Sequence, residues 1–185
     1  NNKIPVGHAM PFFSIKNQSG IKKIKSIITK AVNILGVKNG PCNVDCIYTK
    51  NNKLVSLEVS PRVGATCLPQ MLNIYTGVDW DLNTIKIHNL MKIEKINERK
   101  ISVAAKVLQS RKTGFLKDIS FSKKNNNTKV HFLVKKNQKI YKFTDGSKLF
   151  GYVISHGVNY KKVVKNMNTM VSSIKIKLKK NANIY

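Results

Sequence analysis

Apolar positions recur at helical spacing in the first half of the chain, and the rhythm then changes to that of strands. Within 21–35, Ile24, Ile27, Ile28, Ala31, Val32, Ile34 and Leu35 share one broad helical face, with Lys22, Lys23, Lys25 and Lys30 largely outside it. Gly36 predicts the end of that helix. The runs 42–48 and 54–59 read as two strands, and Asn51-Asn52 between them predicts a tight hairpin, because asparagine tolerates the positive φ such a turn needs. Thr66 is placed to cap a helix through Leu68, Met71, Leu72 and Tyr75 that stops at Gly77. A further short helix is expected from about 79–81 to about Met91. Trp80 and the Phe12-Phe13 pair are expected in the core.

The stretch 92–100 is charged and lacks periodicity, which predicts a boundary there. Beyond it, 101–108, 115–121, 129–135 and 149–155 are β-rich, separated by Gly114, Asn125-Asn126-Asn127 and Asp145-Gly146. A last helix from Asn159 to about Val171 and a strand over 174–178 complete the pattern. The fold class is therefore α+β, with one domain over 1–91 and a smaller, β-rich α+β domain over 101–185.

Composition narrows the function classes. Of 185 residues, 42% are hydrophobic, enough to bury a core. No uninterrupted apolar run reaches about 18 residues, so a membrane span is excluded. Nothing at the start reads as a signal peptide, and Lys3-Ile4-Pro5-Val6-Gly7-His8 after Asn1 reads as mid-domain sequence, so a longer cytoplasmic polypeptide is expected. The 34 basic and 8 acidic residues give +26, a balance that ordinarily suggests a polyanionic partner. Only Arg62, Arg99 and Arg111 are arginines, however, and lysine interleaved with asparagine and isoleucine is what AT-rich coding produces. Base readout favours arginine, so nucleic acid is not expected as the partner. Cys42, Cys46 and Cys67 are an odd number for a secreted disulfide framework and too few for a zinc site without nearby histidine, and they read as buried, reduced thiols.

The hairpin carries the chemistry. With Asn51-Asn52 at its centre, residues whose numbers sum to 103 oppose each other: Asp45 faces Glu58 and Asn43 faces Ser60, with Arg62 further along the same face. Like charges so placed are destabilising by roughly 0.2–1 kcal/mol unless a cation lies between them. A divalent ion with hard oxygen ligands, a salt bridge to a lysine and a proton-sharing pair each satisfy that requirement.

The stretch Asn39-Gly40-Pro41-Cys42-Asn43-Val44-Asp45, followed after the turn by Leu57-Glu58-Val59-Ser60-Pro61-Arg62-Val63-Gly64-Ala65-Thr66, resembles the C-terminal half of the ATP-grasp ligase fold. That superfamily includes biotin carboxylase, carbamoyl phosphate synthase and amino-acid ligases, and the match covers roughly residues 8–90. The resemblance implies an antiparallel sheet with helices, ATP and Mg²⁺ (or Mn²⁺) as cofactors, and Asp45, Glu58 and Ser60 as metal ligands, with Glu58 bridging two ions. Ser60 stands where many members carry asparagine. Arg62 would be the catalytic residue that steadies the γ-phosphate or the acyl-phosphate, and Asn43, Gly64 and Thr66 would bind the nucleotide or an anionic substrate at the following helix start. His8 would lie on a strand leading into the nucleotide site.

The activity so implied is activation of a small-molecule carboxylate for attack by an amine, with the rest of the chain upstream of Asn1 as an essential partner and a homodimer as the candidate assembly. A 101–185 domain of strands, glycine turns and a late helix is similar to the C-terminal domain of such ligases. The rival from another class is a non-catalytic basic module that binds RNA or an acidic partner.

Overall fold

The computed structural model describes residues 4–12, 18–51, 53–97, 99–121 and 126–180. Two compact units divide the chain: Phe12–Asn97 forms one, and Asn1–Pro11 joins Glu98–Tyr185 in the other. The division falls in the aperiodic stretch after the third helix, but the first residues belong with the second half.

Unit Phe12–Asn97 begins with helix α1 (Gln18–Ile34). Its stripe Ile24, Ile27, Ile28, Ala31 and Val32 is half-buried, and Gly36, at φ +71°, closes it in the left-handed region that favours glycine. Two residues depart from the expected face. Ile34 is 74% exposed and Leu35 is also exposed, because the helix has already run past its packed stripe when it reaches them. Strands β2 (Asn43–Tyr48) and β3 (Leu54–Ser60) form an antiparallel pair, followed by α2 (Leu68–Thr76) and α3 (Trp80–His88).

Helix α2 starts one residue later than the sequence implies. Cys67, not Thr66, holds the N-cap position, at φ +70° and without a side-chain capping bond. Thr66 is itself at φ +57° and belongs to the turn before the helix. Gly77 ends α2 as expected, and Asp79 caps α3 by accepting from the Leu82 N–H at 2.9 Å. Trp80 is half-buried, with its indole N–H donating to Thr76 Oγ1 at 3.3 Å. Phe12, expected in the core, is 60% exposed and meets Tyr48 edge to face, while Phe13 lies outside the described residues.

The other unit is built on two antiparallel sheets. The first has the order β1 (Gly7–Met10), β4 (Ser102–Leu108), β8 (Gly151–Gly157), β6 (Thr128–Phe132). The second has the order β7 (Lys139–Ile140), β5 (Gly114–Ser120), β9 (Lys175–Lys179). Strand β4 is apolar and buried on both faces, which the sequence shows as the unbroken run Val103-Ala104-Ala105. Helix α4 (Tyr160–Ser173) lies on β4 and β8 and buries Val163, Met167 and Met170, one turn apart. Ala104, Leu108, Leu116, Ile140, Phe150 and Val153 complete that core.

Strands β1 and β7 are the two elements the periodicity misses. His8 does lie on a strand, but that strand pairs with β4, Met10 opposite Val103 and Gly7 opposite Lys106. A four-residue and a two-residue strand are too short to show alternation, and both are identified by their partners in space.

Candidate active site

The site is assembled on the β2–β3 hairpin. The turn differs from the expected two-residue one: Tyr48 opposes Leu54, and the Thr49 N–H donates to the Lys53 carbonyl at 2.8 Å, so the loop is 50–52. Asn51 is in this turn; Asn52 lies outside the described residues. On this register alone Asp45 would oppose Leu57. A bulge intervenes. The pairing shifts between Asp45 and Cys46, Leu57 is left over on β3, and from there outward Asp45 opposes Glu58, Val44 opposes Val59 and Asn43 opposes Ser60.

Hydrogen bonds then tie the face together. Asn43 Nδ2 donates to Asp45 Oδ1 at 3.1 Å, along β2. Ser60 Oγ donates to Glu58 Oε1 along β3. Arg62 Nη2 is 3.8 Å from Glu58 Oε1, and its Nη1 donates to the Val63 carbonyl at 3.0 Å, which holds the guanidinium beside the carboxylate. Arg62 and Glu58 are both more than half exposed, so this pair contributes at most about 1 kcal/mol.

Gly64 lies against the same cluster: a Cβ there would fall 2.7 Å from Asn43 Oδ1 and 2.6 Å from Leu68 Cδ1. That space is available only because the residue is glycine, and it lets the chain pass close to the Asn43 amide. Thr66 is half-buried in the turn that follows. The start of α2 is a poor anion cradle by comparison with a regular helix, since the Leu68 N–H is already bonded to the Ala65 carbonyl at 3.3 Å and Pro69 contributes no N–H.

Two cysteines beside the site have perturbed thiols. At Cys46, next to the bulge, burial pushes the thiol up, the Ser56 hydrogen bond opposes this, and the Asp45 charge adds to the rise. Cys67 is buried, and burial lifts its thiol to about 11. Neither fits an activated nucleophile, which needs a lowered pKa.

The donor set at the hairpin is two carboxylates, an amide and a hydroxyl, all hard oxygen donors of the kind Mg²⁺ takes. Among the described residues no group of three or more His, Cys, Asp or Glu converges as a closed protein cage for a metal. An ion held by these residues would therefore complete its shell with water or phosphate oxygens, the usual condition of protein-bound Mg²⁺.

No protein-family model matches the chain, and no curated protein matches it. Solved structures do. Phosphoribosylglycinamide synthetase from Anaerococcus prevotii superposes with a TM-score of 0.79 at 28% identity, over 95% of this chain and 46% of that one. L-amino acid ligase from Bacillus licheniformis gives 0.77 at 16% identity, over 94% and 44%. The biotin carboxylase domain of 2-oxoglutarate carboxylase from Hydrogenobacter thermophilus, solved with MgADP and bicarbonate, gives 0.76 at 14%, over 94% and 39%.

The chain carries part of the ATP-grasp fold.

It spans less than half the length of these solved structures. The ATP-grasp likeness extends over nearly the whole chain, including the β-rich second half, whereas the sequence motif reached only to about Leu90. What sequence reasoning missed at the site is structural support: Leu57 as the bulge residue, the Val63 carbonyl that holds Arg62, and the room that Gly64 leaves for Asn43. The spacing of Asp45 and Glu58 about Asn51-Asn52 is symmetric, so the sequence carried no signal for the bulge. Among the described residues, no helix is long and apolar enough to cross a membrane.

Proposed function

We propose that this chain supplies the metal-binding side of the active site in an ATP-dependent ligase that joins a small-molecule carboxylate to an amine. The observation that carries this reading is the opposition of Asp45 and Glu58 on a bulged hairpin, with Asn43, Ser60 and Arg62 on the same face, within an ATP-grasp fold. Residues 12–97 would be the metal and nucleotide part, and the unit of 98–185 the C-terminal domain.

Asp45 and Glu58 would hold Mg²⁺, with Ser60 and Asn43 as neutral oxygen donors beside them. Bound Mg²⁺ would neutralise phosphate charge on ATP as the γ-phosphoryl group passes to the substrate carboxylate. Glu58 accepts from Ser60 and faces Arg62, so its charge is oriented along the face before any ligand arrives. Arg62 is more than half exposed beside Glu58, and its fixed charge and fork suit the equatorial oxygens of a transferring phosphoryl group or an acyl-phosphate. Gly64 lets the backbone approach the amide of Asn43, and Thr66 carries a hydroxyl at the turn beyond it. Positioning and electrostatics supply most of the rate in phosphoryl transfer, so these residues need no covalent role. The amine then displaces phosphate from the acyl carbon. ATP and the carboxylate would need the rest of the relatives' length as well, and the 185-residue chain alone is expected to be inert.

Mn²⁺ is the direct probe. Added to the isotope-labelled chain, it should broaden backbone amide resonances around 43–46 and 57–61 before others, and Glu58→Gln should remove the effect. In the polypeptide that carries this chain, hydroxylamine should trap an ATP-dependent acyl group as its hydroxamate, and Glu58→Gln should abolish that product. Broadening confined to other regions, or normal turnover by Glu58→Gln, would overturn the reading.

A further inference from the structure

The positive charge of this protein is unevenly placed. Residues 1–11 with 98–185 hold 22 Lys and Arg against 3 Asp and Glu, a formal +19, whereas 12–97 hold 12 against 5, a formal +7. Biased coding acts on both units alike, so the contrast calls for a local reason.

The register of the second sheet gathers part of that charge on one face. Leu116, Ile119, Ile140, Ile176 and Leu178 pack against the core. The alternate positions therefore face outward: Lys175, Lys177 and Lys179 on β9, opposite Ser120, Asp118 and Phe115 of β5. Phe115 is also paired with Lys139 of β7, so one row across the sheet reads Lys139, Phe115, Lys179. Beyond Lys139, Tyr141 is 46% exposed, and the Lys139 and Lys148 ammonium groups each lie 5.2 Å from its ring centre.

We propose that this outer face of the β7–β5–β9 sheet binds single-stranded nucleic acid without regard to sequence. Lysines two apart on a strand are about 7 Å apart, a repeat comparable to one nucleotide of a stretched strand. Aromatic rings set among cations are what a sequence-tolerant stacking platform needs, because every base has a π-face. The scarcity of arginine argues against reading base edges and leaves phosphate tracking untouched. A bilayer is the poorer partner, since the aliphatic side chains of β5 and β9 point into the core and none would insert. Lysines on β7 and β9 would also keep these two edge strands from pairing with another chain, but edge protection does not explain the rings set beside them.

The test is binding of a fluorescein-labelled oligo(dT) of about 16 nucleotides, a length within one binding-site size, across a salt series. Each phosphate contact contributes about 0.7 to the slope of log K against log salt for a single strand. The fourfold variant K139Q/K175Q/K177Q/K179Q should therefore lower the slope by about 2–3. The variant K22Q/K23Q/K25Q/K30Q on α1 should leave it unchanged, and Tyr141→Ala should weaken binding several-fold at an unaltered slope. Should the fourfold variant fold poorly, Lys177→Gln alone should lower the slope by about 0.7. Equal losses from the two fourfold variants would show diffuse charge and overturn the proposal. So would binding to phosphatidylserine vesicles with no binding to the oligonucleotide.

Discussion

Asp45 and Glu58 oppose each other across a hairpin whose turn, taken alone, would have set Asp45 against Leu57. The three-residue loop and the bulge at Leu57 shift the register in opposite senses and cancel beyond the bulge. Were Leu57 paired regularly instead of bulged, Glu58 would oppose Val44 and the two carboxylates would point to opposite faces, because a one-residue slip in a strand reverses every side chain. Leu57 itself is 63% exposed, so its place in β3 owes nothing to burial and everything to the register it creates.

Replacing Glu58 by glutamine keeps the shape and removes the charge. In the metal-free protein this loses the weak attraction to Arg62 and relieves repulsion from Asp45, so thermal or urea unfolding should give a stability within about 0.5 kcal/mol of wild type. Asp45→Asn should behave likewise. A loss of several kcal/mol in either would mark the pair as structural.

Gly64→Ala should displace two side-chain tips. The added methyl meets Asn43 Oδ1 and Leu68 Cδ1, ends of flexible side chains that can move aside, so the expected destabilisation is about 1 kcal/mol, the low end for overpacking. Since Asn43 must turn away, its bond to Asp45 should be lost too, visible as a shift of the Asn43 side-chain amide resonances.

Cys67 should be the slowest thiol. At pH 8 iodoacetamide should label Cys42 and Cys46, which are half-buried, before Cys67, which is buried. In the folded protein burial holds the Cys67 proton to about pH 11, against 9.0 for an exposed thiol. The folded state thus binds the proton more tightly than the unfolded chain. This contribution to stability is present in full below pH 9 and declines as pH rises from 9 toward 11. Cys67→Ala should flatten that decline in a series of urea melts.

In the β-rich unit, Asn159 caps α4 by accepting from the Lys162 N–H at 3.0 Å, and Asn159→Ala should cost about 1 kcal/mol. Met167→Ala, in the core below, should cost about 2–5 kcal/mol. Urea unfolding monitored by circular dichroism separates the two sizes of effect.

Long periodic elements were legible in the sequence because burial imposes its own period: the stripe of α1, the buried turns of α4 and the runs of β4 and β8 all declared themselves. The opposition of Asp45 and Glu58 was legible as well, although through a turn of the wrong length. A turn and a bulge that cancel cannot be separated by pattern alone, since each leaves the same residues facing each other at the far end. The capping role expected of Thr66 failed for a different reason: Thr66 and Cys67 both take left-handed backbone, a conformation that residue type rarely announces. Strands β1 and β7 exist through non-local pairing, and nothing within a few residues of either encodes it.

Strand β1 also sets an order of events as the protein is made. Its partner on the sheet, β4, starts only after the whole of Phe12–Asn97 has intervened. At a typical rate of synthesis, β1 leaves the ribosome on the order of ten seconds before the edge it completes. The hairpin and its helices have all of their own sequence by then, whereas the β-rich unit must wait for its later strands and recapture a segment made long before. A stalled or truncated message ending near residue 97 would therefore release a nascent chain with β1 unpaired, a natural target for chaperones.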